Sequence, residues 1–148
     1  MNCSRSHDCC FLLDQCVRIK IMREDYRNQV SLLLSILPEV AKEARFALHG
    51  GTAINLFIRD MPRLSVDIDL TYLPLEDYET SLMHINEALE RIVVNIRKVL
   101  PDSNIQHDEV NCKLVVNDKR GSVKVEVSLI GRGSVYEPQV MLLCTKAQ

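Results

Sequence analysis

The chain contains no tryptophan, and aromatic residues make up only 5% of its 148 positions. Single-stranded nucleic acid is commonly held on aromatic platforms where bases stack, and no such platform is advertised. Positive charge is not in surplus either. Eighteen Lys and Arg stand against 20 Asp and Glu, a formal net charge of −2. Without a basic field over the whole molecule, a nucleic-acid partner would have to be held by a local patch. No apolar run is long enough to cross a bilayer, so no membrane contact is expected. The N-terminus lacks a secretory pattern, because Asp8, Asp14 and several Arg residues interrupt its apolar stretch. Repeats, low-complexity tracts and linker-like stretches are also missing. The expectation is one cytoplasmic domain over residues 1–148. Its 47% hydrophobic and 26% charged residues are typical of a soluble globular protein able to bury a real core.

Cysteine is plentiful. Of six, Cys3, Cys9, Cys10 and Cys16 crowd the first 16 residues, with His7 among them. A metal cluster would want a second Cys/His pair at finger-like spacing, and the adjacent Cys9-Cys10 is poor ligand geometry. The segment reads as reduced thiols on an N-terminal helical extension, residues 1–23.

From there the pattern predicts a helix over residues 24–44, with Tyr26, Val30, Leu33, Leu34 and Leu37 as its apolar stripe and Pro38 as a kink or divider. A short strand is predicted over 45–48, broken by Gly50-Gly51, with Thr52 as N-cap of an apolar helix over 53–58. Residues 60–63, with Pro62, read as a loop, and 65–72 as a strand. Residues 75–100 read as one long helix burying Leu82, Ile85, Leu89, Ile92, Val93, Ile96 and Val99, ended by Pro101. Short strands are predicted near 104–107, 112–116 and 122–129, with a tight turn at 117–121. Gly131 and Gly133 open a further loop, and 135–144 reads as extended or mixed. The fold class expected is α+β, a small mixed β-sheet flanked by helices.

Two pieces of this order carry chemistry. The glycine turn Gly50-Gly51-Thr52 joins a strand to a helix. Soon after comes Ser65-Val66-Asp67-Ile68-Asp69-Leu70. Alternate strand side chains share a face, so Asp67 and Asp69 point one way while Val66, Ile68 and Leu70 point into a core. Two carboxylates side by side repel each other, and a hard divalent cation such as Mg²⁺ relieves that repulsion. A phosphate-sized turn beside a metal-sized carboxylate pair suits nucleoside triphosphate chemistry. Downstream, Val123, Val125, Val127 and Leu129 alternate with Lys124, Glu126 and Ser128. If that strand neighbours the aspartates, Glu126 completes a three-carboxylate site able to hold two Mg²⁺ ions, and Lys124 on the same face can neutralise phosphate charge. Lys113, Lys119, Arg120, Lys124 and Arg132 could form a small basic rim for an RNA, against the plainer reading of a solvated hairpin tip. His49 either lines the site or is a packed histidine.

The residues His49-Gly50-Gly51-Thr52-Ala53-Ile54-Asn55-Leu56 and Arg63-Leu64-Ser65-Val66-Asp67-Ile68-Asp69-Leu70-Thr71 resemble the AbiEii/AbiGii group of nucleotidyltransferase toxins, in the DNA polymerase β-like superfamily. The resemblance implies a polymerase β-like fold and Mg²⁺-dependent transfer of a nucleotide from an NTP to a hydroxyl, with tRNA ends among the acceptors. It also implies a toxin role beside a cognate antitoxin. By position it makes Asp67, Asp69 and Glu126 the catalytic metal ligands, and Gly50, Gly51 and Thr52 the triphosphate turn. Arg63 and Lys124 follow as phosphate or fold-supporting positions. Members of the group usually continue into a helical C-terminal region, which is absent from these 148 residues. The alternative expectation is therefore a catalytically impaired domain that binds a partner or forms a homodimer.

Overall fold

The computed structural model describes the backbone of residues 8–58 and 66–143, and side chains from residue 24 onward within those ranges. Five strands form one mixed sheet with two long helices on one face. In chain order the elements are α1 (Asp8–Val40), β1 (Phe46–His49), α2 (Gly50–Ala53), a π-helical stretch (Ile54–Ile58), β2 (Ile68–Tyr72), α3 (Tyr78–Val99), β3 (Asn104–Asp108), β4 (Lys113–Asp118) and β5 (Gly121–Arg132). The strand order is β1-β2-β5-β4-β3. Only β2 and β5 run parallel; the other neighbours are antiparallel. The α+β class with a small mixed sheet is as expected.

Periodicity explains the packing. Leu32, Leu33, Ile36 and Val40 of α1 meet Ile85, Leu89, Ile92 and Ile96 of α3 over the inward residues of three strands: Ile68, Leu70 and Tyr72; Leu114 and Val116; Val123, Val125 and Val127. All are buried. Each fully buried Leu or Ile contributes roughly 1.5–3 kcal/mol of transfer free energy. The helix α3 begins at an N-cap, where Asp77 accepts a hydrogen bond from the Thr80 amide at 2.9 Å.

Local details depart from the sequence reading. The helix α1 is continuous from Asp8 through Pro38 to Val40. Pro38 falls in its last turn, where one lost amide hydrogen bond does not divide a helix of 33 residues. The N-cap of the turn after β1 is His49, not Thr52, because Gly50 already has helical hydrogen bonding. The strand β5 runs through Gly131 to Arg132, since Arg132 pairs with Tyr72 past a register shift. The β4–β5 turn is tighter than expected, with Asp118 opposite Gly121. No helix among the described residues is long and apolar enough to cross a membrane. The N-terminal Cys3 and the loop holding Arg63 and Ser65 lie outside the described residues, as do the side chains of Cys9, Cys10 and Cys16.

Candidate active site

The face of the sheet opposite α1 and α3 is polar, and strand register decides which polar groups meet there. In the parallel pair β2–β5, Asp69 stands opposite Glu126. Residues opposite each other in a sheet share a face, as do residues two apart in one strand. Asp67, Asp69, Lys124 and Glu126 therefore lie on one side, while Ile68, Leu70, Val123, Val125 and Val127 are buried on the other. The three carboxylates singled out in the sequence share this face, but their oxygens do not all lie within 4.8 Å of one another.

The register continues in both directions. His49 of β1 stands opposite Asp69, Lys113 of β4 opposite Glu126, and Asp108 of β3 opposite Lys113. One row across all five strands thus reads His49–Asp69–Glu126–Lys113–Asp108. A cleft of about 520 Å³ opens over the β2–β5 part of this row, lined by His49, Asp69, Tyr78, Asn111, Glu126 and Ser128 among others.

Lys124 sits among the acids. Its Nζ lies 3.0 Å from Glu126 Oε2 and 3.7 Å from Asp67 Oδ2. The Glu126 carboxylate that accepts its hydrogen bond, together with the charge of Asp67, holds the ammonium above the ordinary lysine range. The ammonium is a cation placed where two of the three carboxylates can share it. The donor set, three carboxylates on one face of which two already draw a positive charge, has the chemistry of a hard divalent cation such as Mg²⁺, and side-chain turns would have to bring the oxygens to ligand distance.

The glycine turn is built against the same row. Gly50 has φ +75°, a left-handed conformation that favours glycine. A Cβ there would lie 2.8 Å from Asp69 Oδ2, so the missing side chain is what lets the turn approach the carboxylate. Thr52 is fully buried, and its hydroxyl donates to the Asp67 carbonyl oxygen. That bond fastens the turn to the start of β2. Thr52 contributes by tying two site segments together, a role its place in the motif does not reveal.

The basic rim is not assembled as a set. Arg120 turns back to Asp118, its Nε donating to Oδ2 at 2.8 Å, and reaches Ser35 of α1 at 2.9 Å. Arg132 donates to the Glu76 carbonyl oxygen at 3.0 Å and to Ser81 Oγ at 2.9 Å. Its guanidinium also stands 5.8 Å from the Tyr78 ring centroid. Both arginines hold the fold, whereas Lys113 and Lys124 remain on the site face. Tyr78, Asn111 and Ser128 were not singled out as site residues. Only Ser128 had a signal, its alternation with Glu126.

No curated protein and no solved structure matches the chain. The profile of the family described as Nucleotidyl transferase AbiEii toxin, Type IV TA system, matches residues 31–147, which run from the last third of α1 through every later element to the end of the described structure. A glycine turn, an Asp-x-Asp strand and a third carboxylate in register lie within that match, and the chain belongs to the AbiEii family of nucleotidyltransferase toxins.

Proposed function

We propose that the chain transfers a nucleoside monophosphate from an NTP to a hydroxyl acceptor, a tRNA end being the acceptor the family resemblance favours, with Asp67, Asp69 and Glu126 as the metal-binding carboxylates. The observation that carries the reading is the register of Asp69 with Glu126, which puts three acids on one open face beside the Gly50 turn. In this reading Gly50 and Gly51 let the triphosphate approach the backbone, and Thr52 keeps the turn against β2. Arg63 belongs to the same proposal as a phosphate-side residue. The acceptor oxygen forms its bond to the α-phosphorus, the bond from that phosphorus to the β-bridging oxygen breaks, and pyrophosphate leaves. Glu126 takes up the proton of the acceptor hydroxyl, and Lys124 swings from the carboxylates to the phosphate charge. Bound Mg²⁺ would supply Lewis acidity to the triphosphate and the acceptor oxygen.

The test is incubation with α-labelled NTPs, Mg²⁺ and total RNA. Asp67→Asn and Asp69→Asn are expected to keep the fold and lose labelling by at least ~100-fold, the scale on which removing one transition-state contact acts. Undiminished labelling in both variants refutes the assignment. The AbiEii family is one of toxin–antitoxin systems, and an antitoxin partner is part of the proposal.

A second reading, a binding module without catalysis, is favoured by a run of exposed apolar side chains. Ile130, Val135, Val140 and Leu142 are each at least 87% exposed, and a surface of that kind commonly marks a protein contact. It requires self-association or partner capture that Leu142→Glu weakens in sedimentation, with no labelling by any NTP.

A further inference from the structure

A second group of metal-ligating side chains lies on the other face of the molecule, outside the carboxylate row. Asn86 and Glu90 are one turn apart on α3, so both leave the same side of the helix. His107 alternates along β3 with Ile105, which packs against the core, so its ring shares that helix-facing side. Glu109 follows in the turn after β3. A ring nitrogen of His107 and one carboxylate oxygen from each of Glu90 and Glu109 lie within 4.8 Å of one another.

Asn86 sets the state of the histidine. Its Nδ2 donates to the Glu109 carbonyl oxygen at 3.0 Å. Its other amide atom, Oδ1, lies 3.1 Å from His107 Nε2 and can only accept. Nε2 must therefore carry the hydrogen, and the neutral ring keeps its lone pair at Nδ1. Fixing one ring nitrogen from outside so that the other can ligate is the arrangement found around protein-bound metals.

We propose that Glu90, His107 and Glu109 bind a first-row divalent cation of the Zn²⁺ type. Imidazole is a good donor for such ions and a poor one for Mg²⁺. Two carboxylates balance the double charge. Tetrahedral ligand bonds of about 2.0–2.2 Å span donors about 3.4 Å apart, so a swing of the two exposed glutamates by about an ångström closes the set. The site is not the catalytic one, because β3 stands three strands from β2 and two from β5, which carries Glu126, roughly 14 Å and 10 Å at the usual strand spacing. A bound cation would fasten the β3–β4 turn to α3.

The test uses the full chain with Cys3→Ser, Cys9→Ser, Cys10→Ser, Cys16→Ser and Cys144→Ser, which removes Zn²⁺ binding by these thiols, and Asp69→Asn, which weakens the carboxylate face. Zn²⁺ titration calorimetry on this parent is expected to show one ion per chain. Adding His107→Gln is expected to abolish it. Adding Asn86→Ala, which removes no ligand, is expected to weaken it by about 10–100-fold. Circular dichroism confirms that each variant is folded. Absence of binding in the parent, or equal affinity in the folded parent and its His107→Gln variant, overturns the proposal. Nucleotide transfer enters neither result.

Discussion

Replacing Gly50 with alanine tests the closeness of the turn to the acids, and the structure sets the size of the effect. The backbone at Gly50 has φ +75°, where an L-residue costs roughly 1–2 kcal/mol. For a domain of this length that corresponds to a fall in melting temperature of about 2–8 °C. The new methyl group would also lie 2.8 Å from Asp69 Oδ2 and 3.5 Å from Asp69 Cβ and Cγ. The carboxylate must turn aside by several tenths of an ångström, which is on the scale that spoils a metal site, where ligands are held to about 0.5 Å. Gly50→Ala is therefore expected to weaken Mn²⁺ binding, read by electron paramagnetic resonance, by about tenfold or more. Gly51→Ala is the control. Gly51 is helical and its φ is not positive, so alanine there is expected to leave melting unchanged or raise it. Wild-type melting and wild-type Mn²⁺ affinity in Gly50→Ala would refute the argument.

Other predictions follow from the same geometry. Lys124→Met removes the ammonium shared by Glu126 and Asp67; melting without metal is expected to fall, Mg²⁺ to restore it, and Mn²⁺ affinity to rise because the competing cation is gone, whereas an unchanged affinity would confine Lys124 to the phosphates. The hydrogen bond from the Thr80 hydroxyl, then that from its amide, holds Asp77 below the usual range around 3.8, and Asn111 does the same for Asp108. A lowered folded pKa gives stability that is complete above the unfolded value and disappears as pH falls through the folded one. The melting gap between wild type and Asp77→Ala is therefore expected to be constant from pH 7 to pH 5 and to close below about pH 4; a gap that widens on acidification contradicts this. Burial, with the nearby charge of Asp108, pushes the Cys112 thiol up to about 11, so iodoacetamide at pH 8 is expected to leave it unmodified until denaturant is added, as read by peptide mass spectrometry.

How much was legible in the sequence follows from what alternation encodes. Strand alternation fixes the face of each residue without reference to any neighbour, so Asp67 and Asp69 on one face and Ile68 and Leu70 on the other could be read directly. The helix α3 was equally clear, since Ile85, Leu89, Ile92 and Ile96 repeat at helical spacing and a proline follows. Pairing is different. That Glu126 stands beside Asp69 depends on β2 and β5 running parallel, with α3, β3 and β4 intervening. The spacing of 57 residues contains no register, so the third carboxylate could be placed only conditionally. The fate of the arginines was hidden for the same reason. Arg120 and Arg132 look like surface charge until the partners that bind them, Ser35 and Ser81, are known to be within reach. Thr52 was misread as a cap because its actual acceptor, the Asp67 carbonyl oxygen, is backbone 15 residues away.

The polar row explains how the sheet tolerates its own acids. In β2 and β5 alone, Asp69 opposite Glu126 places like charges side by side, an arrangement that destabilises a strand pair. The row beside it supplies the correction: Asp67 and Glu126 share the Lys124 ammonium, and Lys113 is the cross-strand neighbour of Glu126 on the far side. These lysines are partly exposed, so their attraction is softened by solvent and holds the acids without locking them. A buried arginine in either place would form a tighter pair and would be harder to displace. Partly exposed lysines leave the carboxylates paired in the resting protein and free to change partners. That exchange is the property a site for metal and triphosphate requires, and it makes the response of Lys124→Met to Mg²⁺ the direct measure of whether the row is a catalytic surface or only a balanced one.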